Sequence, residues 1–220
     1  GLVGQDGPTH HGVFDLAYMR PIPNLVISAP YDEHELRNLM HTAVHGNDGP
    51  FVIRYPKGRG ELKEWHNPPR LLPIGKGRKL KEGIDIALLS IGTIGNRAAR
   101  AIAKAEESGL RVAHYDMVFL KPIDEALLRE VADRFRYVIT VEEGTKKGGL
   151  GSAMLEFLAE NGYQGVQVVQ VGIDDRFVTH GTIRELHAIT GIDEAGILAT
   201  IQRVEKAIKK EKEITEFIQR

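Results

Sequence analysis

Short apolar runs rich in β-branched residues alternate with capped helical segments along this chain. That alternation restricts it to α/β folds with a mostly parallel sheet. Leu25-Val26-Ile27-Ser28 reads as a buried strand ending at Ala29-Pro30. Asp32 then caps a helix, with Glu35 three residues on in the capping-box position. Leu36, Leu39, Met40 and Ala43 follow at helical spacing to about His45. Asn47-Asp48-Gly49-Pro50 is turn chemistry, and Phe51 to Tyr55 is the next strand.

The pattern breaks once. The stretch from Pro56 to Pro73 holds four prolines, several glycines and mixed charges without a period, the composition of a linker or a draped segment. Trp65, the only tryptophan, is expected to anchor it by burying its ring. The chain therefore divides into 1–58, a linker over 59–72, and 73–220. In the last part, Gly75 to Leu80 reads as an edge strand and Asp85 to Ile91 as a central one. A helix from about Gly95 to Glu107 stops at Gly109, and Leu110 to Tyr115 is the next strand. Asp116 to Pro122 reads as a loop, and Asp124 caps a helix to about Phe135. Tyr137 to Glu142 is a strand, Gly148 to Ser152 opens a helix to about Asn161, and Val166 to Val171 is a strand. Asp193 caps a long final helix whose charged stretch, Lys206 to Lys212, is expected to fray. Gly1-Leu2-Val3 reads as the end of a buried strand, so the chain is expected to be the C-terminal piece of a longer protein.

Composition excludes several classes. A net charge of −1 gives no bulk field for nucleic acid or membrane, and no apolar run approaches a membrane span. The absence of cysteine rules out disulfides and thiolate chemistry and fits a reducing cytoplasm. Gly148 to Ser152 lacks the Walker lysine and the dinucleotide spacing, and close helix–sheet packing is the better reading. Glu142 and Glu143 alternate in direction along a strand and are not expected to converge. His180-Gly181-Thr182, after Asp174-Asp175-Arg176-Phe177, matches no standard metal-ligand spacing and reads as a structural turn.

Two stretches carry chemistry. Gly4-Gln5-Asp6-Gly7-Pro8-Thr9-His10-His11-Gly12 sets a carboxylate and two imidazoles on turn residues. On an extended segment His10 and His11 would face apart, so one at most faces a site. Arg54-Tyr55-Pro56-Lys57-Gly58 places two cations after the C-terminal end of a parallel strand, where open α/β sheets bind ligands. Arg offers a fork that fits phosphate, and Lys a mobile point charge.

The first stretch, continued through Val13-Phe14-Asp15-Leu16 to Tyr18, Arg20 and Ile22-Pro23, resembles 1-deoxy-D-xylulose-5-phosphate synthase, a relative of transketolase. Transketolase itself is similar only over the shorter Asp-Gly-Pro-Thr-His piece. The Arg-Tyr-Pro segment, the Val-Glu-Glu at 141–143, the Lys-Pro-Ile-Asp at 121–124 and the Phe-x-x-His-Gly at 177–181 extend the resemblance over nearly the whole chain. It implies the end of a pyrimidine-binding parallel-sheet domain followed by a transketolase C-terminal-like, three-layer α/β domain. It implies a cytoplasmic homodimeric transferase that uses thiamin diphosphate and Mg²⁺. Pyruvate and D-glyceraldehyde 3-phosphate would condense to 1-deoxy-D-xylulose 5-phosphate and CO₂, a precursor of isoprenoids, thiamin and pyridoxal.

By the same resemblance, His10 is the expected catalytic group for proton transfer or hydrogen bonding at the substrate. Asp6 would hold acceptor hydroxyls or orient His10, and Arg54 and Lys57 would grip the phosphate. The family's usual residue at Lys57 is Arg, which leaves open which of the two cations carries the phosphate. The Val-Glu-Glu piece lies away from the family's chemistry. Its metal motif, its activating Glu and an Arg before the Asp-Gly turn all lie upstream, so no cofactor-binding or metal-binding residue is expected here and the piece alone is expected to be inactive. The alternatives are transketolase, a 2-oxo-acid dehydrogenase β subunit, or a non-catalytic dimerisation fragment.

Overall fold

The computed structural model describes residues 1–58, 60 and 67–218. The anchoring role expected of Trp65 falls outside them.

Two sheets organise the chain. The larger has five strands in the order β3 (Arg78–Lys81), β5 (Val112–Asp116), β4 (Ile86–Ile91), β7 (Tyr137–Thr145) and β8 (Gln167–Ile173). All its pairings are parallel except at the edge, where β3 runs against β5. β4 is buried at every position because helices cover both faces, and its side chains alternate between two cores. Ile86 and Leu88 join a core with α3 (Ile94–Glu106) and α7 (Glu194–Ile218). Ala87 and Leu89 join the opposite core with α4 (Glu125–Arg134) and α5 (Leu150–Glu160). This is the expected three-layer architecture.

The smaller sheet has the order β2 (Phe51–Ile53), β1 (Val26–Ser28) and β6 (Phe119–Lys121), with α2 (Glu33–His45) packed on it. β1 and β2 are parallel, as the strand–helix–strand pattern requires. β6 corrects the reading of 116–122 as loop: it leaves the large unit and pairs antiparallel with β1, Ile27 opposite Lys121. Val118 makes the reversal with φ 54°, an uncommon conformation for a β-branched residue. It also gives its carbonyl to Ala29 N at 2.9 Å.

The caps behave largely as read. Asp32 accepts from Glu35 N at 2.8 Å, and the Glu35 carboxylate reaches one residue further, to Tyr31 N. Asp124 accepts from Leu127 N, and Asp193 from Gly196 N. A further helix, α6 (Ile183–Thr190), starts at a Thr182–Glu185 capping box. The final helix continues through Lys206–Lys212 to Ile218 instead of fraying. The glycine-rich start of α5 is a packing device. A Cβ on Gly149 would sit 2.0 Å from a Glu142 carboxylate oxygen, and Glu142 itself accepts from Leu150 N and Gly151 N.

Residues 1–3 form no strand, contrary to the reading of a strand end, yet Leu2 is buried. Leu2 and Val13 lie in the core of the large sheet's α3–α7 face. Leu16, from α1 (Asp15–Met19), lies in the core of the opposite face. The segment that carries the first candidate site is thus built into the C-terminal unit.

Candidate functional site

The Asp6–Gly12 segment is a chain of turns. His10 N and His11 N both donate to Gly7 O, at 3.1 and 3.2 Å, which departs from the extended segment expected. Gly7 takes φ 71° to make the turn. The imidazoles nevertheless separate. His11 is buried, its Nδ1 accepting from Val3 N at 3.1 Å and its Nε2 donating to Thr179 O at 3.2 Å. His10 is exposed, its Nδ1 3.0 Å from the Thr9 hydroxyl. His11 is therefore a structural tie, and His10 is free to meet a ligand.

Beside His10 the turn exposes Asp6, whose carboxylate lies 2.7 Å from Lys57 Nζ. The hydrogen bond and charge of Lys57 hold the Asp6 carboxyl below its ordinary range. Lys57 is 61% exposed. It also lines a cleft of about 420 Å³ between the two units, together with Tyr31, Tyr55, Arg97, Glu143 and His187. Asp6 and Lys57 thus come together from sequence positions about fifty apart, on the turn that also carries His10. No hydrogen bond joins Asp6 to His10 among the described residues.

Arg54 has a different setting from the one expected of a phosphate grip. Its side chain is 7% exposed and turns inward. Its guanidinium donates to Gly12 O at 3.1 Å and to the Glu143 carbonyl, and Nε lies 3.4 Å from the Asp15 carboxylate. Both carbonyl bonds come from Nη2 and Nε makes no hydrogen bond among the described residues, so it is the burial of the side chain and not the exhaustion of its donors that sets Arg54 back from a ligand.

The C-terminal unit supplies the rest of the frame. Glu143 Oε1 accepts from Leu2 N at 2.9 Å and lies 2.9 Å from His187 Nε2 on α6. Burial would raise the Glu143 carboxyl, but the His187 hydrogen bond and the positive charge of Arg54, among others, overcome it and hold the group at about 2. Ionised, the carboxylate only accepts, so His187 donates through Nε2. Glu142 points the other way, into α5, so the two acids do not converge. Thr145 N donates to Val13 O at 2.8 Å, and Gly181 N to Gly4 O at 3.4 Å. The turn at 180–182 is structural in this sense, and Phe177 before it packs edge-on against Phe14. Sequence reasoning passed over Glu143 and His187 as site-framing groups. Their signals were a pair of adjacent acids inside a buried strand and a histidine among the apolar positions of a helix.

Among the described residues no three His, Asp or Glu side chains are grouped to hold a metal ion. No described helix is long and apolar enough to cross a membrane.

Comparison with known proteins gives the context of this site. Residues 75–197 match the transketolase C-terminal domain, and residues 1–61 match the transketolase pyrimidine-binding domain. The 1-deoxy-D-xylulose-5-phosphate synthase of Bacteroides fragilis is 56% identical over 204 residues, covering 92% of this chain and 31% of that protein. The synthase of Bacteroides thetaiotaomicron is 60% identical over 195 residues, covering 88% of this chain and 30% of that protein. A solved structure, described as a split-gene transketolase in an inactive β4 tetramer, superposes with TM-score 0.77 at 33% identity. It covers 90% of this chain and 62% of its own. The chain spans about a third of the length of the curated relatives it matches. With both domain models matched in order and the three-layer sheet in place, the chain belongs to the transketolase family, and its sequence is similar to the C-terminal third of 1-deoxy-D-xylulose-5-phosphate synthase.

Proposed function

We propose that this chain is the C-terminal part of a cytoplasmic, homodimeric synthase that condenses pyruvate with D-glyceraldehyde 3-phosphate, releasing CO₂ and forming 1-deoxy-D-xylulose 5-phosphate. The observation that carries the reading is the exposed Asp6–Lys57 pair on the turn that also carries the exposed imidazole of His10, a turn whose base is buried. Lys57 is the phosphate ligand of choice. Its ammonium is exposed, on a flexible stem, and already meets an anion there. A phosphate dianion would displace the singly charged Asp6 carboxylate from Lys57. Asp6 would then be free to accept from an acceptor hydroxyl, while His10 holds or moves a proton at the acceptor's carbonyl oxygen. Arg54 holds the turn rather than the substrate.

Thiamin diphosphate, when bound, supplies the chemistry that stabilises the carbanion left by pyruvate decarboxylation. By similarity to the synthase family, whose metal motif and activating Glu precede the matched region, we assign the cofactor and Mg²⁺ mainly to parts of the enzyme outside this chain. The product would feed isoprenoid, thiamin and pyridoxal synthesis.

The test is release of labelled CO₂ from pyruvate by the parent enzyme. Release that depends on glyceraldehyde 3-phosphate and is independent of lipoamide supports the synthase. Release without the acceptor, or only with lipoamide, assigns the parent to another branch of the family. Calorimetric titration of the 220-residue chain with cofactor and Mg²⁺ is expected to show no micromolar saturable binding.

A further inference from the structure

We infer that Glu143 and His187 form a positioning dyad by which the C-terminal unit holds the Asp6–His10 turn in its working geometry. The inference rests on the function proposed above and gives the C-terminal unit a part in it.

The connections are direct. The Asp6–His10 turn hangs between two fixed points, Leu2 and Gly12. Leu2 N donates to the Glu143 carboxylate, and Gly12 O accepts from Arg54, which also donates to the Glu143 carbonyl. One residue of β7 thus meets both ends, at one with its side chain and at the other through Arg54. Glu143 lies 141 residues from Leu2 in sequence, so the contact exists only in the folded molecule. Glu143 and His187 are both buried. Without His187, Glu143 Oε1 would keep Leu2 N but lose the donor that orients its carboxylate. A buried carboxylate with a missing donor either rotates towards another one or takes up a proton.

The ends of the turn are also tied to each other, Gly12 N donating to Gly1 O at 2.9 Å and Val3 N to His11 Nδ1 at 3.1 Å, and the dyad joins that closed loop to β7 and α6. Between Gly4 and His10 its internal bonds run to Gly4 O and Gly7 O, two carbonyls of the turn. Its other external ties are Lys57 to Asp6, Gly181 N to Gly4 O and His11 to Thr179 O, and the last two come from the segment that leads into α6, the helix carrying His187. Release of the dyad would therefore let the turn and that segment shift together. A shift of about 1 Å in a catalytic group costs on the order of 10²-fold in rate.

The experiment compares His187→Leu, His187→Gln and Glu143→Ala in the parent enzyme. Gln places an amide near the position of the imidazole Nε2 and can donate to Glu143. We expect His187→Leu and Glu143→Ala to lower kcat about 10²-fold with the KM for pyruvate unchanged, and His187→Gln to recover most of the loss. Amide hydrogen exchange should quicken across residues 2–12 in the two disabling variants while β4 stays protected. A kcat per folded enzyme equal to wild type in His187→Leu and Glu143→Ala would overturn the inference, as would equal losses in His187→Gln and His187→Leu. Unchanged exchange at 2–12 would overturn it too. His10→Ala and Lys57→Met serve as controls on the function itself. If both leave the synthase kinetics intact, the functional reading falls, while the exchange measurement still decides whether the dyad positions the turn.

Discussion

Replacing Arg54 by Met separates a structural arginine from a substrate-binding one. Met keeps much of the apolar stem and removes the guanidinium. The side chain is 7% exposed, and its charge meets Asp15 at 3.4 Å and two main-chain carbonyls, those of Gly12 and Glu143. Hydrogen bonds from a charged donor are each worth about 1.5–3 kcal/mol, and removing one partner of a fully buried pair costs about 3–5 kcal/mol. The Asp15 side chain is 20% exposed and regains some water, which sets the total nearer the lower end, about 3 kcal/mol. For a chain of this size each kcal/mol moves Tm by about 2–4 °C, so Arg54→Met should melt about 6–12 °C lower. Lys57→Met removes an exposed ammonium paired with an exposed carboxylate and should melt within about 1 °C of wild type. Kinetics should show the reverse order. Lys57→Met should raise the KM for glyceraldehyde 3-phosphate about 10- to 150-fold and spare that for pyruvate, and the penalty should shrink with unphosphorylated glyceraldehyde. The assay is thermal melting of both variants beside steady-state kinetics with both acceptors. An Arg54→Met protein that melts with wild type but loses acceptor affinity would refute the reasoning and return the phosphate to Arg54.

Asp124→Ala should lower stability by about 2 kcal/mol, read as a shift in urea midpoint, because that carboxylate caps α4 at Leu127 N and also accepts from Gly77 N at 3.1 Å. Gly149→Ala should cost about 1–3 kcal/mol in the same assay, since its methyl would meet the Glu142 carboxylate at 2.0 Å. Asp116 is raised to about 7 by burial and by the neighbouring Glu35 carboxylate, against the pull of Arg78, which both acids share. Its folded value lies above its unfolded one, so its contribution is complete below about 4 and is lost as pH rises through 7. Asp116→Asn should therefore flatten the decline of urea midpoint between pH 4 and 7, and an unchanged slope would exclude Asp116 as its source.

Local chemistry in the sequence determined most of the elements. The nearly continuous apolar run of β4 and the caps at Asp32, Asp124 and Asp193 act within a few residues, so they can be read without a fold. The composition of 116–122 likewise suggested a loop, because nothing local says that Phe119–Lys121 will find β1, almost a hundred residues earlier. A three-residue strand is decided by its partner and not by its own propensity.

The candidate site divides along the same line. Asp6, His10 and Lys57 were legible because turn residues and a strand-end cation expose chemistry whatever the packing. The expectation that the neighbouring histidines separate rested on an extended segment where the structure has turns, and the buried contacts to Val3 N and Thr179 O decided that His11 is the inward one. Arg54 looked as available as Lys57, since both follow the same strand. The inward turn of its guanidinium depends on carbonyls at Gly12 and Glu143, which come together only when the two units pack. Glu143 and His187 depend on the same packing. An ionised carboxylate can stay buried there because the fold brings it a histidine, a main-chain amide and a nearby guanidinium from three distant segments.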